Sequence, residues 1–445
     1  MESALILLNN SQTNRHHYIF QFVFEENLGI PFECTSSISQ FEEANNSIKI
    51  NYSNHSCNTL CALSVFNAEF LQQIGFNQSL PTIQGSGTET TIFPSPKDSL
   101  FDFSFDVFSA IFFLLTRYEE YQDTPKDQHG RFQAKHSVAT KHQFLQFPLV
   151  DIWLDAIQQK LDLPNGPKRK FKFIPTFDLD QVWSYKHKGI SRLAVKLVRS
   201  LIRLERRNIV DIINILIGKK QDPYFVFNYL FQLHNQHEHI HPIYFLAVGK
   251  WSNFDKNTPI KKHSFKLFIQ DLSSRYKVGL HPSYSSNTKT HQLQKEYNDL
   301  KNLISYPLKR SRQHFLKVSF PETYSNLIQI GIEKEFSMGY AEAIGFRAST
   351  ARHFLWYNLA LEQTEQLRIY PFQIMDVSLF NYLNRSSQQA LHDFEHIKKQ
   401  IETYGGNLIT IWHNSSFDEK EGWDKSKQTF FETLYSEAAK SQIFS

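Results

Sequence analysis

Asp178 and Asp180 stand two residues apart at the end of an apolar run, in Thr176-Phe177-Asp178-Leu179-Asp180. In an extended chain the i and i+2 side chains leave the same face, so two carboxylates reach one strand terminus. Such a pair can divide its labour, one member holding a metal ion and the other accepting a proton. The same dipeptide spacing also suits a solvated loop. Three later apolar runs end in or adjoin further reactive groups: Val278-Gly279-Leu280 before His281, Arg312-Gln313-His314-Phe315 opening Leu316-Lys317-Val318, and Leu408-Ile409-Thr410-Ile411-Trp412 before His413 and Asn414. With nineteen histidines in the chain, any one of these is readily a hydrogen-bonded core or surface group. Their shared place at the ends of apolar runs points to one site, because strand termini converge in a barrel.

These segments together resemble the metal-dependent polysaccharide deacetylases of carbohydrate esterase family 4, in a divergent form with an extra N-terminal domain. The resemblance spans residues 170–445. Thr176-Phe177-Asp178-Leu179-Asp180 is similar to the family's Thr-Phe-Asp-Asp motif with one residue inserted, and Ile243-Tyr244-Phe245-Leu246-Ala247-Val248-Gly249 is similar to its second strand. Gly279-Leu280-His281 resembles the histidine motif, Arg312-Gln313-His314-Phe315 the Arg-x-Pro-Tyr motif, and Ile409-Thr410-Ile411-Trp412-His413 the closing strand. The resemblance implies that Asp178 is the general base, that Asp180 and His281 hold a divalent metal (zinc, or else cobalt or manganese), and that His413 is the general acid. Arg312 would orient Asp178. It further implies hydrolysis of an N-acetyl group on an acetamido sugar of a polysaccharide or glycan precursor, on a distorted barrel of seven βα units.

The family's second metal-binding histidine falls here on Ser285, and a serine hydroxyl is a poor zinc ligand. His314, where the family has proline, could complete an Asp180, His281, His314 set, or it could simply pack or hydrogen-bond. Without a third ligand the chain would be a non-catalytic carbohydrate-binding protein with a degenerate barrel. Hydrolysis of another amide or ester is a third reading.

On the substrate side stand Tyr284, Arg347 and Asp376. Glu335-Phe336-Ser337-Met338-Gly339-Tyr340 and Ala343-Ile344-Gly345-Phe346-Arg347 would line a groove, with Arg347 able to grip a sugar oxygen or carboxylate, or else to sit on the surface. Asp376 would hydrogen-bond His413 and raise its basicity, or cap a helix.

Positioning these groups requires parallel strands. Strand-like runs at 171–176, 243–248, 278–280, 314–318, 367–374 and 408–412 alternate with helical ones, which argues for βα units in an α/β fold. Arg312 and His314 open their run instead of closing it, so that strand is shifted or the motif is a loop. At 445 residues the chain exceeds one ordinary core, and turn residues with a short basic run at 163–170 suggest a boundary. Residues 1–165 then form an N-terminal mixed α/β (α+β) accessory domain and 170–445 the deacetylase-like barrel. Within the first, 17–24 and 47–52 read as strands, and 105–121 and 149–161 as helices.

Apolar residues at 41%, charged residues at 21% and a net charge of +4 fit a globular protein and give no reason to expect nucleic acid. Cys34, Cys57 and Cys61 are too few for a disulfide framework and read as reduced. The start Met-Glu-Ser followed by a short apolar run lacks the form of a secretion signal, so a cytoplasmic location is expected. The apolar window 107–116 is too short to span a bilayer, which takes about 20 residues, and reads as a buried helix. Segment 192–220 places basic residues opposite an apolar stripe, suited to peripheral membrane contact or to packing on the barrel. His234, His237, His239 and His241 lack an acidic partner at ligand spacing and read as a surface loop.

Overall fold

Fifteen strands are present in the computed structural model, which describes residues 3–163 apart from 46, 56, 77–78 and 98–99, residues 170–188, and residues 206–444. Most of the expected boundary, 164–169, and the first part of the basic segment, 192–205, lie outside the described residues.

The site rests on nine strands: β7 (Phe171–Leu179), β8 (Ile243–Ala247), β9 (Lys277–His281), β10 (Arg310–Ser311), β11 (Lys334–Glu335), β12 (Phe354–Asn358), β13 (Gln363–Ile369), β14 (Ile374–Met375) and β15 (Gly406–His413). Their spatial order is β12-β13-β11-β10-β9-β8-β7-β15-β14. All neighbours are parallel except β12 and β13. From β7 to β11 each new strand adds beside the last, the winding of a βα barrel. The expected distorted barrel does not close, however: β14 and β12 are the sheet's two edges, and no ladder joins β13 to β14 among the described residues. Pro371, which has no N–H to offer a ladder, splits the expected strand 367–374 into β13 and β14. Only single bonds cross that seam, such as Phe372 N–H to Met338 O at 3.0 Å and Gly345 N–H to Gln373 O at 3.0 Å.

The sheet is nonetheless curled, because the period-2 alternation of its strands sorts side chains into two separate cores. Ile174 on β7, Phe245 on β8, Phe336 after β11, and Ile409 and Ile411 on β15 meet in a small inner cluster. Phe173, Phe177, Leu179, Tyr244 and Leu246 face outward into the main core, where the helices Phe227–Asn235 and Lys425–Phe444 cover them. Continuing the inner row of β7 beyond Ile174 gives Thr176, Asp178 and Asp180, and that of β15 gives His413. The expected strand at 314–318 is instead a tight turn, His314–Leu316, and Arg312 to His314 follow the end of β10.

The first 163 residues form a second sheet, β1 (Ser3–Leu8), β2 (Phe32–Thr35), β3 (Ser47–Tyr52) and β4 (Leu63–Ser64), parallel throughout in the order β2-β1-β3-β4. A short hairpin, β5 (Ile83–Gln84) and β6 (Thr91–Ile92), follows. Residues 17–24 are not a strand but part of the helix Asn14–Phe20 and its wide-turned continuation Gln21–Leu28. Thr13 caps that helix through the His16 N–H, and a short, mostly apolar run gives too little period by which to choose helix or strand. Helices Val107–Leu115 and Leu149–Lys160 agree with expectation, and every residue of the former is buried.

This region packs against the large sheet. Its core is continuous with that of the large sheet: Phe112 lies edge-on to Tyr357 at 5.1 Å, and Tyr18 O–H donates to Leu355 O at 2.8 Å. Buried ion pairs cross between the two regions: Arg15 with Glu362 (2.5 Å), Arg352 with Asp151 (3.1 Å), and Arg347 with Glu120 (2.5 Å). No described helix is long and apolar enough to cross a membrane. On helix Arg206–Leu216 and just past it, Val210, Ile213, Leu216 and Ile217 are exposed.

Candidate metal centre and catalytic cleft

The ends of β7, β8, β9, β10 and β15 surround a cleft of about 250 Å³ lined by Asp178, Asp180, His281, His314 and His413. Strand register explains the grouping: His413 lies opposite Asp178, and His281 opposite Ala247 one strand further on. Close approach is needed beneath them. A Cβ on Gly279 would sit 2.6 Å from the Phe245 ring, so glycine alone lets that ring lie flat against β9. The Arg312 guanidinium then stacks 4.4 Å above the same ring.

Asp180, His281 and His314 each offer one ligand atom, and these atoms all lie within 4.8 Å of one another. His281 Nε2 is 3.1 Å and His314 Nε2 3.5 Å from Asp180 Oδ1. His281 Nδ1 is 2.7 Å from Arg312 O, a carbonyl that can only accept, so the proton sits on Nδ1 and Nε2 presents its lone pair. His314 Nδ1 donates in the same way to Asp255 Oδ1 at 2.9 Å. Asp255 is buried and held by the Ser252 hydroxyl and the Tyr284 N–H. A carboxylate behind a histidine fixes its tautomer and raises its basicity toward a metal.

Asp180 Oδ1 and His281 Nε2 are buried with no hydrogen-bond partner. Unpaired buried acceptors are costly, and here they lie side by side, 3.1 Å apart, where one cation could satisfy both. Hard and borderline donors, one carboxylate and two imidazoles, make a three-ligand set that suits zinc or a similar divalent ion. The residues present therefore fit the metal. Burial alone would raise the Asp180 carboxyl, but the charge on His314, with His281 adjoining, holds it well below the usual range. Burial opposes charge on His314, yet Asp180 and Asp255 raise it to about 9. Ser285 takes no part; its hydroxyl accepts from Gln292 Nε2 at 2.8 Å.

Beside this set lies a second pair. Arg312 Nη1 donates to Asp178 Oδ1 and to Thr176 Oγ1, each at 2.7 Å, and Arg312 Nε to Phe336 O at 3.0 Å. That grip fixes Asp178 while leaving its other oxygen for the cleft. Asp376, at the end of β14, receives the His413 N–H (2.7 Å) and His413 Nδ1–H (2.8 Å). Burial would lower His413, but Asp376, with Asp180 and Asp178, raises it to about 10. The wall opposite holds strained backbone: Phe315 and Leu316, both lining the cleft, have φ of 59° and 54°. Bulky residues rarely adopt positive φ, and such strain concentrates at functional sites.

The sequence-derived residues thus divide. Asp178, Asp180, His281, Arg312, His314, Asp376 and His413 are together, though Asp376 touches His413 from behind and does not itself line the cleft. Tyr284 does not itself line the cleft; its ring meets that of Phe315, which does, at 5.4 Å and stacks on Phe254 at 4.2 Å. Arg347 does not reach the cleft. It is 3% exposed and bidentate to Glu120, an ion pair that sequence could not supply because its partner lies in the other region. Glu335 is buried against Tyr324 and Ser337, away from the cleft. His234 is a core residue bonded to the Tyr244 and Tyr435 hydroxyls, and burial lowers it to about 3. Among the described residues no other group of three His, Cys, Asp or Glu side chains converges in this way.

Two contributors escaped the sequence reading. Asp255 sits in a polar loop beyond β8, where only the rule that strand-end loops carry function pointed. Arg131, which lines the cleft, comes from the N-terminal region; it pairs with Asp127 (2.6 Å) and donates to Phe315 O (3.0 Å).

Among known proteins, a family of unknown function, DUF7033, matches residues 5–164. No curated protein matches. Similar solved structures include one titled a putative polysaccharide deacetylase from Mycobacterium smegmatis, at 10% identity and TM-score 0.40, covering 61% of this chain and 85% of that one. A CE4 family pseudoenzyme mutant is similar at 9% identity and TM-score 0.31, covering 62% and 64%. The polysaccharide deacetylase Bc1974 from Bacillus cereus is similar at 10% identity and TM-score 0.27, covering 60% and 86%. At such TM-scores these likenesses carry no weight on activity, which rests on the side-chain geometry.

Proposed function

We propose that the protein is a metal-dependent hydrolase that removes N-acetyl groups from an acetamido sugar in a polysaccharide or glycan precursor. The observation that carries this reading is the meeting of two sets at one strand-end cleft: Asp180, His281 and His314 around converging unpaired acceptor atoms, and Asp178 register-paired with His413. Asp180, His281 and His314 would hold a divalent ion, zinc by donor type, which supplies a Lewis acid for the acyl oxygen and a water of lowered pKa. Asp178, pinned by Arg312 through one oxygen, takes a proton from the attacking water with the other. His413, kept protonated by Asp376, gives its Nε2 proton to the departing amine. The Arg312 guanidinium holds Asp178 oriented toward the cleft, so the base is in place without reorganisation.

The test is the metal content and deacetylase activity of the purified chain, on acetylated amino-sugar oligomers, for the parent and Asp178→Asn. A parent with one metal per chain that releases acetate, and a variant with the same metal but turnover lower by about 10²–10⁴-fold, is the expected outcome. A metal-free parent under excess zinc, cobalt and manganese would leave only carbohydrate binding.

A further inference from the structure

The opposite end of the nine-stranded sheet carries a different set of charges. In β7 the inner-face row runs Lys172, Ile174, Thr176, Asp178, so Lys172 belongs to the inner face at the strand's N-terminal end. The same alternation places Lys277 in line with Gly279 and His281, Arg310 in line with Arg312, Lys334 in line with Phe336, and Arg368 in line with Tyr370. Phe336 is confirmed as inner by its ring contacts with Phe245 (5.3 Å) and Tyr370 (4.7 Å), whereas Glu335, of opposite parity, meets the covering helix at Tyr324.

Arg310, Lys334 and Arg368 are moreover in direct register across β10, β11 and β13. Register partners in a parallel sheet stand about 4.8 Å apart and leave the same face, and like charges so placed destabilise a sheet. Neutralising groups are few. Among the described residues Lys172, Lys277, Arg310 and Lys334 form no ion pair; Arg368 reaches Glu26 at 3.4 Å, and Glu333 is taken by Lys309 at 2.6 Å. Burial and then Arg310 lower Lys334 from its ordinary value, with Arg368 and Lys172 adding to the effect and Glu333 opposing it. A recess of about 880 Å³ opens beside the row, lined by Lys172, Lys277, Arg310 and His241, with Tyr306 and Glu238.

We propose that this N-terminal mouth of the sheet binds an oligophosphate anion, inorganic or carried as the phosphate tail of a nucleotide, held by Lys172, Lys277, Arg310, Lys334 and Arg368. Cations spread over several strands exceed what a single phosphate can touch, and the guanidiniums of Arg310 and Arg368 match phosphate oxygens bidentately. Lys172 and Lys277 are exposed beside the recess and Arg310 is half-buried in its wall, with half-buried Lys334 and Arg368 continuing the row, which favours a small ligand entering the recess over a flat anionic surface. The site is separate from the metal cleft, at the other end of the same strands.

Calorimetric titration of the metal-free full chain at low salt with inorganic tripolyphosphate, and separately with ATP, tests this. Saturable binding is expected, weakened tenfold or more in Arg310→Gln/Lys334→Gln and in the exposed single variant Lys172→Gln. The double variant without ligand should melt higher than the parent, since repulsion has been removed. Lys309→Gln, already paired outside the row, should bind within twofold of the parent. Equal affinity for the two anions assigns the inorganic chain, and tighter ATP binding assigns a nucleotide. All these variants keep Asp180, His281 and His314, so binding that survives in them unchanged belongs elsewhere and overturns the proposal, as does the absence of saturable binding.

Discussion

Replacing Asp255 by Asn removes the negative charge behind His314 while keeping shape. Asp255 Oδ1 accepts both His314 Nδ1–H and the Tyr284 N–H at 2.9 Å, and its second oxygen accepts the Ser252 hydroxyl at 2.7 Å. An amide oxygen can keep the first two contacts, but as bonds to a neutral acceptor. Hydrogen bonds to a charged group contribute about 1.5–3 kcal/mol against about 0.5–1.5 for neutral ones, so each contact weakens by roughly 1 kcal/mol. The histidine also becomes a less basic ligand. Loss of a partner behind a metal-binding histidine costs about 10–100-fold in affinity, which is about 1.4–2.8 kcal/mol and agrees with the bond-by-bond figure. Zinc affinity should be measured by competition with a chelating dye, at pH 8 and 9, alongside circular dichroism to establish folding. A folded Asp255→Asn protein whose zinc affinity lies within twofold of the parent would refute the chain of contacts from Asp255 through His314 to the metal.

Further outcomes follow from the same geometry. Arg312→Met leaves Asp178 buried without its partner, the two side chains being 0% and 3% exposed, and should destabilise folding by about 3–5 kcal/mol in urea denaturation; a loss under 1 kcal/mol contradicts the pairing. A protonated His314 cannot ligate, and its raised value of about 9 means that metal must displace a proton below that pH. Affinity should therefore rise about tenfold per pH unit toward pH 9 and then flatten; an affinity that stays level from pH 7 to 9 argues against His314 as a ligand. In Asp376→Asn the chief group raising His413 is gone, so the alkaline limb of the pH–rate profile should move to lower pH. An unmoved limb would mean that His413 is not the proton donor.

How far sequence carried can be read residue by residue. Asp178 and Asp180 were legible because their spacing matches the strand period, and His281 and His413 because each follows an apolar run. Arg312 and His314 drew attention through a motif resemblance; Arg312 contacts Asp178, and His314 lies with Asp180 and His281. Asp255 was invisible since nothing local marks which loop acid turns toward a histidine on another strand. Arg347 was misplaced because its partner Glu120 is remote in sequence. Residues 17–24 misled because a short run that is mostly apolar and aromatic, with Gln21 as its one interior polar residue, fits a strand as well as a helix. The open seam between β13 and β14 was written in Pro371, but its effect emerges only when neighbours are known.

Arg131 reaches across from the first region to hold the Phe315 carbonyl, and Glu120 is the counter-ion of Arg347. Residues of both regions therefore frame the cleft. A fragment beginning at Lys170 would inherit a buried arginine without its carboxylate, lose the residue that braces the strained turn, and expose Tyr357 and the face on which Phe112 rests. Shuffling the second region onto another protein thus demands carrying the first with it, and substitutions that tune the cleft can arise as readily before residue 165 as after it.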